Sequence, residues 1–317
     1  MQVKSIFHSL LGGWVKPSTA PAFVVLMLFL VGACVGAQSS DPDYDALHPS
    51  LGGSPLSVIT TIPVLADLAQ NVGGDEVEAR SLVPPGADVH SYQTTPKDSI
   101  AIAGASLVVL NGAGLDDFLL PVLTGAMVDS AVLVVASKDM VEQGLGDGLD
   151  DPHFWQDPLL AIRYVERIRD GFIQADPNNA AAYRERAKKY VLRLRELDRE
   201  ISDILNQVPP ENRRLVTYHR AFSSLGRRFS WETHALVAGD GVAVTPSAIL
   251  QLSQIIQDNR LPAVFAEPQL STSVLETTAN EAHASVAPIY VDLATGGPVT
   301  YIDMMLFNAR SLAENLR

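Results

Sequence analysis

Short runs rich in β-branched residues alternate along this chain with stretches of helical periodicity, in two series separated by about 50 residues that read as helix throughout. In the first series Val58–Ile62, Ala79–Val83, Leu107–Leu110 and Ala131–Val135 suit strands, and Val64–Val72 and the stretch opened by Thr95-Pro96 suit helices. The second offers strands at Leu215–Tyr218, Thr233–Val237, Ala263–Ala266 and Ile289–Val291, with one helix started by Thr245-Pro246 and another over Thr300–Leu316. Such alternation predicts right-handed βαβ units and hence two parallel-sheet α/β lobes. No fixed-period repeat is visible, which excludes a solenoid.

The segment between the series sets how the lobes are joined. Asp157-Pro158 supplies an N-cap and an N1 proline, and Ile162, Val165, Ile168 and Phe172 follow at helical spacing until Asp176-Pro177 interrupts. This predicts a linking helix over 157–175, between an amino-terminal lobe at 58–156 and a carboxy-terminal lobe at 176–317. In the next helix Tyr183, Ala187, Tyr190, Leu194, Leu197, Ile201 and Ile204 alternate by four and three. That stripe would also suit a coiled-coil dimer. It covers only three heptads, so the expectation is a long helix laying one face on its own lobe, in a monomer.

Ahead of the first strand, Lys4 and Lys16 precede the apolar run Ala22–Ala33. Its 12 residues span about 18 Å as a helix, short of a hydrocarbon core of about 30 Å. Residues 1–33 therefore read as a signal peptide. Val31-Gly32-Ala33-Cys34 resembles the bacterial lipoprotein cleavage box, which would make Cys34 the lipidated first residue of the mature chain and a membrane anchor. Ordinary secretion with cleavage after Ala37 is the alternative. From Gln38 to Ser57 the sequence is rich in Ser, Asp, Gly and Pro, so 34–57 reads as a flexible tether.

Cys34 is the only cysteine, which excludes a disulfide scaffold. The chain carries 23 Lys and Arg against 36 Asp and Glu, a formal charge of -13. Loss of Lys4 and Lys16 with the leader makes that -15. Nucleic acid is a poor partner for this balance, and a cation is tolerated better than an anion.

Seven histidines are present, and four attract no role: His8 in the leader, His48 in the tether, His234 in a strand pattern and His283 in a helical one. The other three sit where ligands collect in open parallel sheets, beyond the carboxyl ends of strands. His90 lies in the loop Pro84–Tyr92, His153 in DDPHFWQDP before the linking helix, and His219 at the end of Leu215–Tyr218. Glu267 and Asp292 each follow a strand directly. Three imidazoles and a carboxylate meeting in a cleft would suit a borderline metal such as Zn²⁺. Taken singly each histidine is more often structural. Spacings of 63, 66 and 73 residues make no local metal motif.

The segments GADVHSYQTTP, DDPHFWQDP, TYHRAFSSLGRRF, VFAEPQ and YVDLATGG, followed by TYIDMMLFNAR, resemble in that order the metal-binding solute-binding proteins of zinc and manganese ABC transporters, of the cluster A-I zinc-uptake type. The resemblance runs from about Val58 to the C-terminus. It implies two lobes joined by one rigid linking helix, with the metal site in the inter-lobe cleft. It also implies ligation by His90, His153, His219 and Asp292, with Glu267 orienting a histidine through its other ring nitrogen. Two departures stand out. Arg220 and Ser224 replace an acid and an aromatic common in the family near the third ligand, and the acidic region Asp139–Asp151 has no histidine.

The function expected is capture, not catalysis. A lipid-anchored extracytoplasmic or periplasmic protein would bind one divalent ion per chain, Zn²⁺ in preference to Mn²⁺, and deliver it to an ABC permease. Alternatives are a manganese-specific relative, a surface adhesin lipoprotein, and a zinc hydrolase with Glu267 as base. No HExxH, GxSxG or glycine-rich phosphate loop supports the last.

Overall fold

The computed structural model describes residues 54–145, 151–237 and 243–317. The leader, Cys34 and the tether as far as residue 53 lie outside them. The first sheet contains β1 (Leu56–Thr60), β2 (Val77–Ser81), β3 (Leu107–Leu110) and β4 (Val132–Val135), in the order β2-β1-β3-β4. The second contains β5 (Arg214–His219), β6 (Glu232–Val237), β7 (Ala263–Ala266) and β8 (Ser285–Pro288), in the order β6-β5-β7-β8. Every pairing is parallel. The two halves thus share one topology without sharing a sequence period, and both send the loops after their strands to one end of the sheet.

Local chemistry starts the helices where the sequence places them. Proline opens α1 (Pro63–Gly73), α2 (Pro96–Ala103) and α4 (Pro158–Ala175), with the short α3 (Leu120–Ala126) between. The Asp157 carboxylate caps α4 by accepting the Leu159 N–H at 2.8 Å. After α5 (Ala180–Leu205) and α6 (Ser223–Phe229), α7 (Pro246–Asn259) is capped by the Thr245 hydroxyl, which accepts the Ala248 N–H at 3.1 Å. α8 (Ser273–Glu281) and α9 (Tyr301–Asn315) complete the order.

α4 covers β3 and β4 and packs along α1 and α5. Its approach to the sheet needs Gly171, where a Cβ would lie 2.3 Å from Val134 Cγ2. The expectation that the stripe of α5 rests on its own lobe is too narrow. α5 packs on α9, which contacts β8 of the second sheet, and also on α1, which contacts β1 and β2 of the first. Its 26 residues make a rod of about 39 Å, long enough to lie across both halves. Arg186 secures the amino-terminal side by donating to the Val72 carbonyl at 2.9 Å and the Gly73 carbonyl at 2.6 Å. One apolar core accordingly runs from Val58 and Leu107 through Tyr190 and Leu197 to Phe265 and Leu312.

The last strand differs from its expected place. β8 is Ser285–Pro288, and the more apolar Ile289–Val291 follows it. Ile289 keeps one bond to the sheet, its N–H donating to the Ala266 carbonyl of β7 at 3.0 Å, and the ladder stops there. The Tyr290 N–H and carbonyl bond the Asn308 side chain at 2.9 and 2.7 Å, and the Val291 carbonyl accepts from Trp155 Nε1 at 2.8 Å and Gln156 Nε2 at 3.0 Å. Hydrophobicity marked a buried segment, and beyond Ile289 side chains from α9 and the His153 loop take the place of a neighbouring strand.

Candidate metal centre

The carboxyl ends of the two sheets and the loops that follow them meet around a cavity of ≈ 20 Å³. His90, from the loop after β2, His153, from the loop between β4 and α4, and His219, the last residue of β5, line it together with Asp292. The three rings form a nearly regular triangle, with centroids 5.6, 5.6 and 5.3 Å apart and planes at 68° to 78° to one another. One nitrogen from each falls within 4.8 Å of the other two. No other such group of His, Cys, Asp or Glu occurs among the described residues.

Buried carboxylates fix two of these rings. Asp151 Oδ1 lies 2.8 Å from His153 Nδ1 and also accepts the His153 backbone N–H at 3.0 Å. Glu267, directly after β7, places Oε1 3.0 Å from His219 Nδ1, and its other oxygen accepts the Tyr218 N–H at 3.1 Å. A carboxylate at Nδ1 holds the proton there, so Nε2 is the nitrogen with a lone pair to offer. His153 Nε2 is buried and makes no hydrogen bond among the described residues. Burial also holds the His153 ring below the ordinary histidine range, outweighing the pull of Asp151, and so keeps it neutral. Burial would raise Asp151, but hydrogen bonds from His153 and Ser223 prevail and bring its carboxyl down to about 2.

Asp292 meets the cavity differently. Its Oδ1 accepts the Val64 N–H at the start of α1 at 2.8 Å and the Leu293 N–H at 2.7 Å. A residue from the carboxy-terminal half is therefore seated on the amino-terminal half. Burial outweighs both bonds and pushes its carboxyl up to about 7. Asp292 lines the cavity without joining the tight group of three histidines.

Sequence reasoning passed over Asp151 as a functional residue. Its signal was Asp two residues ahead of a histidine, a spacing repeated in Asp88-Val89-His90, where Asp88 Oδ1 accepts the His90 N–H at 3.0 Å. It also passed over the fully buried set behind the His153 loop. Asn111 Nδ2 donates to the Pro152 carbonyl at 3.1 Å while Asn111 Oδ1 accepts from the Tyr164 hydroxyl at 2.7 Å. Asp116 accepts from the Thr61 hydroxyl at 2.7 Å and the Gly112 N–H at 2.9 Å, and burial raises its carboxyl to about 6. At the departure near the third ligand, Arg220 lines a separate cavity and the Ser224 hydroxyl is buried without a hydrogen bond among the described residues. Glu267 supplies the contact to His219 instead.

Residues 58–315 match the family described as zinc-uptake complex component A periplasmic, ZnuA. The chain is 30% identical over 305 residues to the manganese-binding lipoprotein MntA of Halalkalibacterium halodurans, across 93% of this chain and 97% of that protein. It is 30% identical over 279 residues to the iron-binding protein YfeA of Yersinia pestis, across 84% and 88%. Among solved structures, the periplasmic zinc binding protein TroA from Treponema pallidum superposes with a TM-score of 0.77 at 25% identity, covering 83% of this chain and 99% of that one. The Mn-bound periplasmic metal binding protein from candidatus liberibacter asiaticus gives 0.74 at 26% identity, covering 82% and 99%. Proteins of this family bind solutes and are not enzymes. The chain belongs to the ZnuA family of metal-binding substrate-binding proteins of ABC transporters.

Proposed function

We propose that His90, His153, His219 and Asp292 take up one divalent ion per chain as cargo and that the protein hands it to an ABC permease. The observation that carries this reading is the triangle of imidazoles, two of them held by buried carboxylates in the tautomer a metal needs. Zinc is the favoured cargo, because three nitrogen donors suit zinc better than manganese. Manganese is the second reading, favoured by the oxygen of Asp292 and by the names of two of the four proteins above. The protein acts as an extracytoplasmic monomer, anchored through lipid on Cys34.

Elemental analysis of the full chain purified without added metal, followed by competition between zinc and manganese, tests the cargo. The expected result is one ion per chain with zinc bound more tightly. Absence of tight metal binding, or tight zinc surviving His90→Ala combined with His219→Ala, overturns the reading. Mass spectrometry of the membrane fraction, with Cys34→Ser as control, tests the anchor: acylation is expected in the parent and is lost in the variant.

A further inference from the structure

Gln269 lines the same cavity as the three histidines. Its side-chain oxygen Oε1 is buried and makes no hydrogen bond among the described residues. Buried acceptors are almost always satisfied, so an orphan beside a cluster of metal-type donors points to a ligand that supplies what the protein does not. The backbone holds it there. The Leu270 N–H donates to the Glu267 carbonyl at 2.9 Å, closing a turn with Pro268 and Gln269 at its centre. The turn that sets Glu267 against His219 therefore also sets the Gln269 side chain at the cavity wall.

A neutral amide oxygen competes poorly with imidazole and carboxylate for a transition metal, but it readily accepts from a water whose protons the ion has made more acidic. Zinc with four protein donors needs no such water. Manganese is harder, favours oxygen and higher coordination, and keeps water. We propose that Gln269 is the acceptor for a water carried on the bound ion, and that it widens the site's tolerance from zinc to ions that retain a water. The proposal rests on the assignment of His90, His153, His219 and Asp292 to the ion.

The test uses the full chain and its Gln269→Leu and Gln269→Glu variants. Zn(II) and Mn(II) affinities are measured by chelator competition, and the visible absorption of the Co(II) form reports coordination number. Gln269→Leu should weaken Mn(II) by about tenfold and leave Zn(II) within about threefold. Its Co(II) band should intensify as five-coordination gives way to four. Gln269→Glu, which keeps an oxygen in place, should preserve both the Co(II) band and the Mn(II) affinity. An unchanged Mn(II) to Zn(II) ratio and an unchanged Co(II) band in Gln269→Leu overturn the proposal. Should that variant fail to fold, an intensified four-coordinate band in Gln269→Glu overturns it and a band like the parent's supports it. Absence of metal binding by the parent chain would instead refute the ligand assignment beneath it.

Discussion

Asp151 Oδ2 accepts the Ser223 backbone N–H at 2.9 Å, so the carboxylate that orients His153 also ties the loop ahead of α4 to the first residue of α6. One charge thereby positions a donor and joins the two halves beside the cavity. Asp151→Asn keeps the shape and removes the charge. It should weaken zinc binding by about 10 to 100-fold, as outer carboxylates of metal-bound histidines do, and chelator competition measures it.

Asp292, raised to about 7, would set the pH response of capture by the proposed site. At pH 6 its carboxyl is mostly protonated in the metal-free protein, and an ion that uses it must displace that proton. Affinity should therefore fall as pH drops through 7. Asp292→Asn should release up to about one proton fewer per ion than the parent at pH 6, and the same number at pH 8.5. Calorimetry in buffers of different ionisation enthalpy reads this directly. For the metal-free fold the sign is opposite. A raised carboxyl favours the folded state below its unfolded value near 3.9, and that contribution is lost as pH rises through about 7. Metal-free Asp292→Asn should therefore gain stability relative to the parent at pH 8.

The Tyr164 hydroxyl and Asn111 sit behind the His153 loop rather than at the cavity. Tyr164→Phe leaves Asn111 Oδ1 without its donor and should cost about 1 to 2 kcal/mol in urea unfolding. Asn111→Ala also releases the Pro152 carbonyl, and should speed hydrogen exchange at His153 more than Tyr164→Phe does.

Gly171→Ala would drive a methyl group against Val134 where α4 crosses β4. The expected loss is about 1 to 3 kcal/mol in urea unfolding, with zinc affinity unchanged in whatever fraction stays folded.

What could be read in the sequence was what depends on nearest neighbours. Asp157-Pro158 and Thr245-Pro246 mark helix starts that the caps then bear out, and Ala263–Ala266 is a strand at the expected residues because a fully buried strand is apolar throughout. Ile289–Val291 misled because burial and strand pairing leave the same apolar trace, while the bonds from Asn308, Trp155 and Gln156 that replace the ladder beyond Ile289 come from far along the chain. Asp151 was hidden for a related reason. Its partner Ser223 is separated from it by the whole of α4 and α5, and an aspartate in an acidic, proline-bearing loop looks like surface. The reach of α5 over both halves likewise follows from its length and not from its stripe, which is the same whatever it covers.

The donors around the cavity come from positions 63, 66 and 73 residues apart, so an ion that binds them closes three long loops at once. Unfolding must let it go. Each tenfold rise in free metal above the dissociation constant adds about 1.4 kcal/mol to the folded state, since the ion has no comparable home in the open chain. The cargo therefore doubles as a fastener, and protease survival of this chain becomes a gauge of how much metal surrounds it.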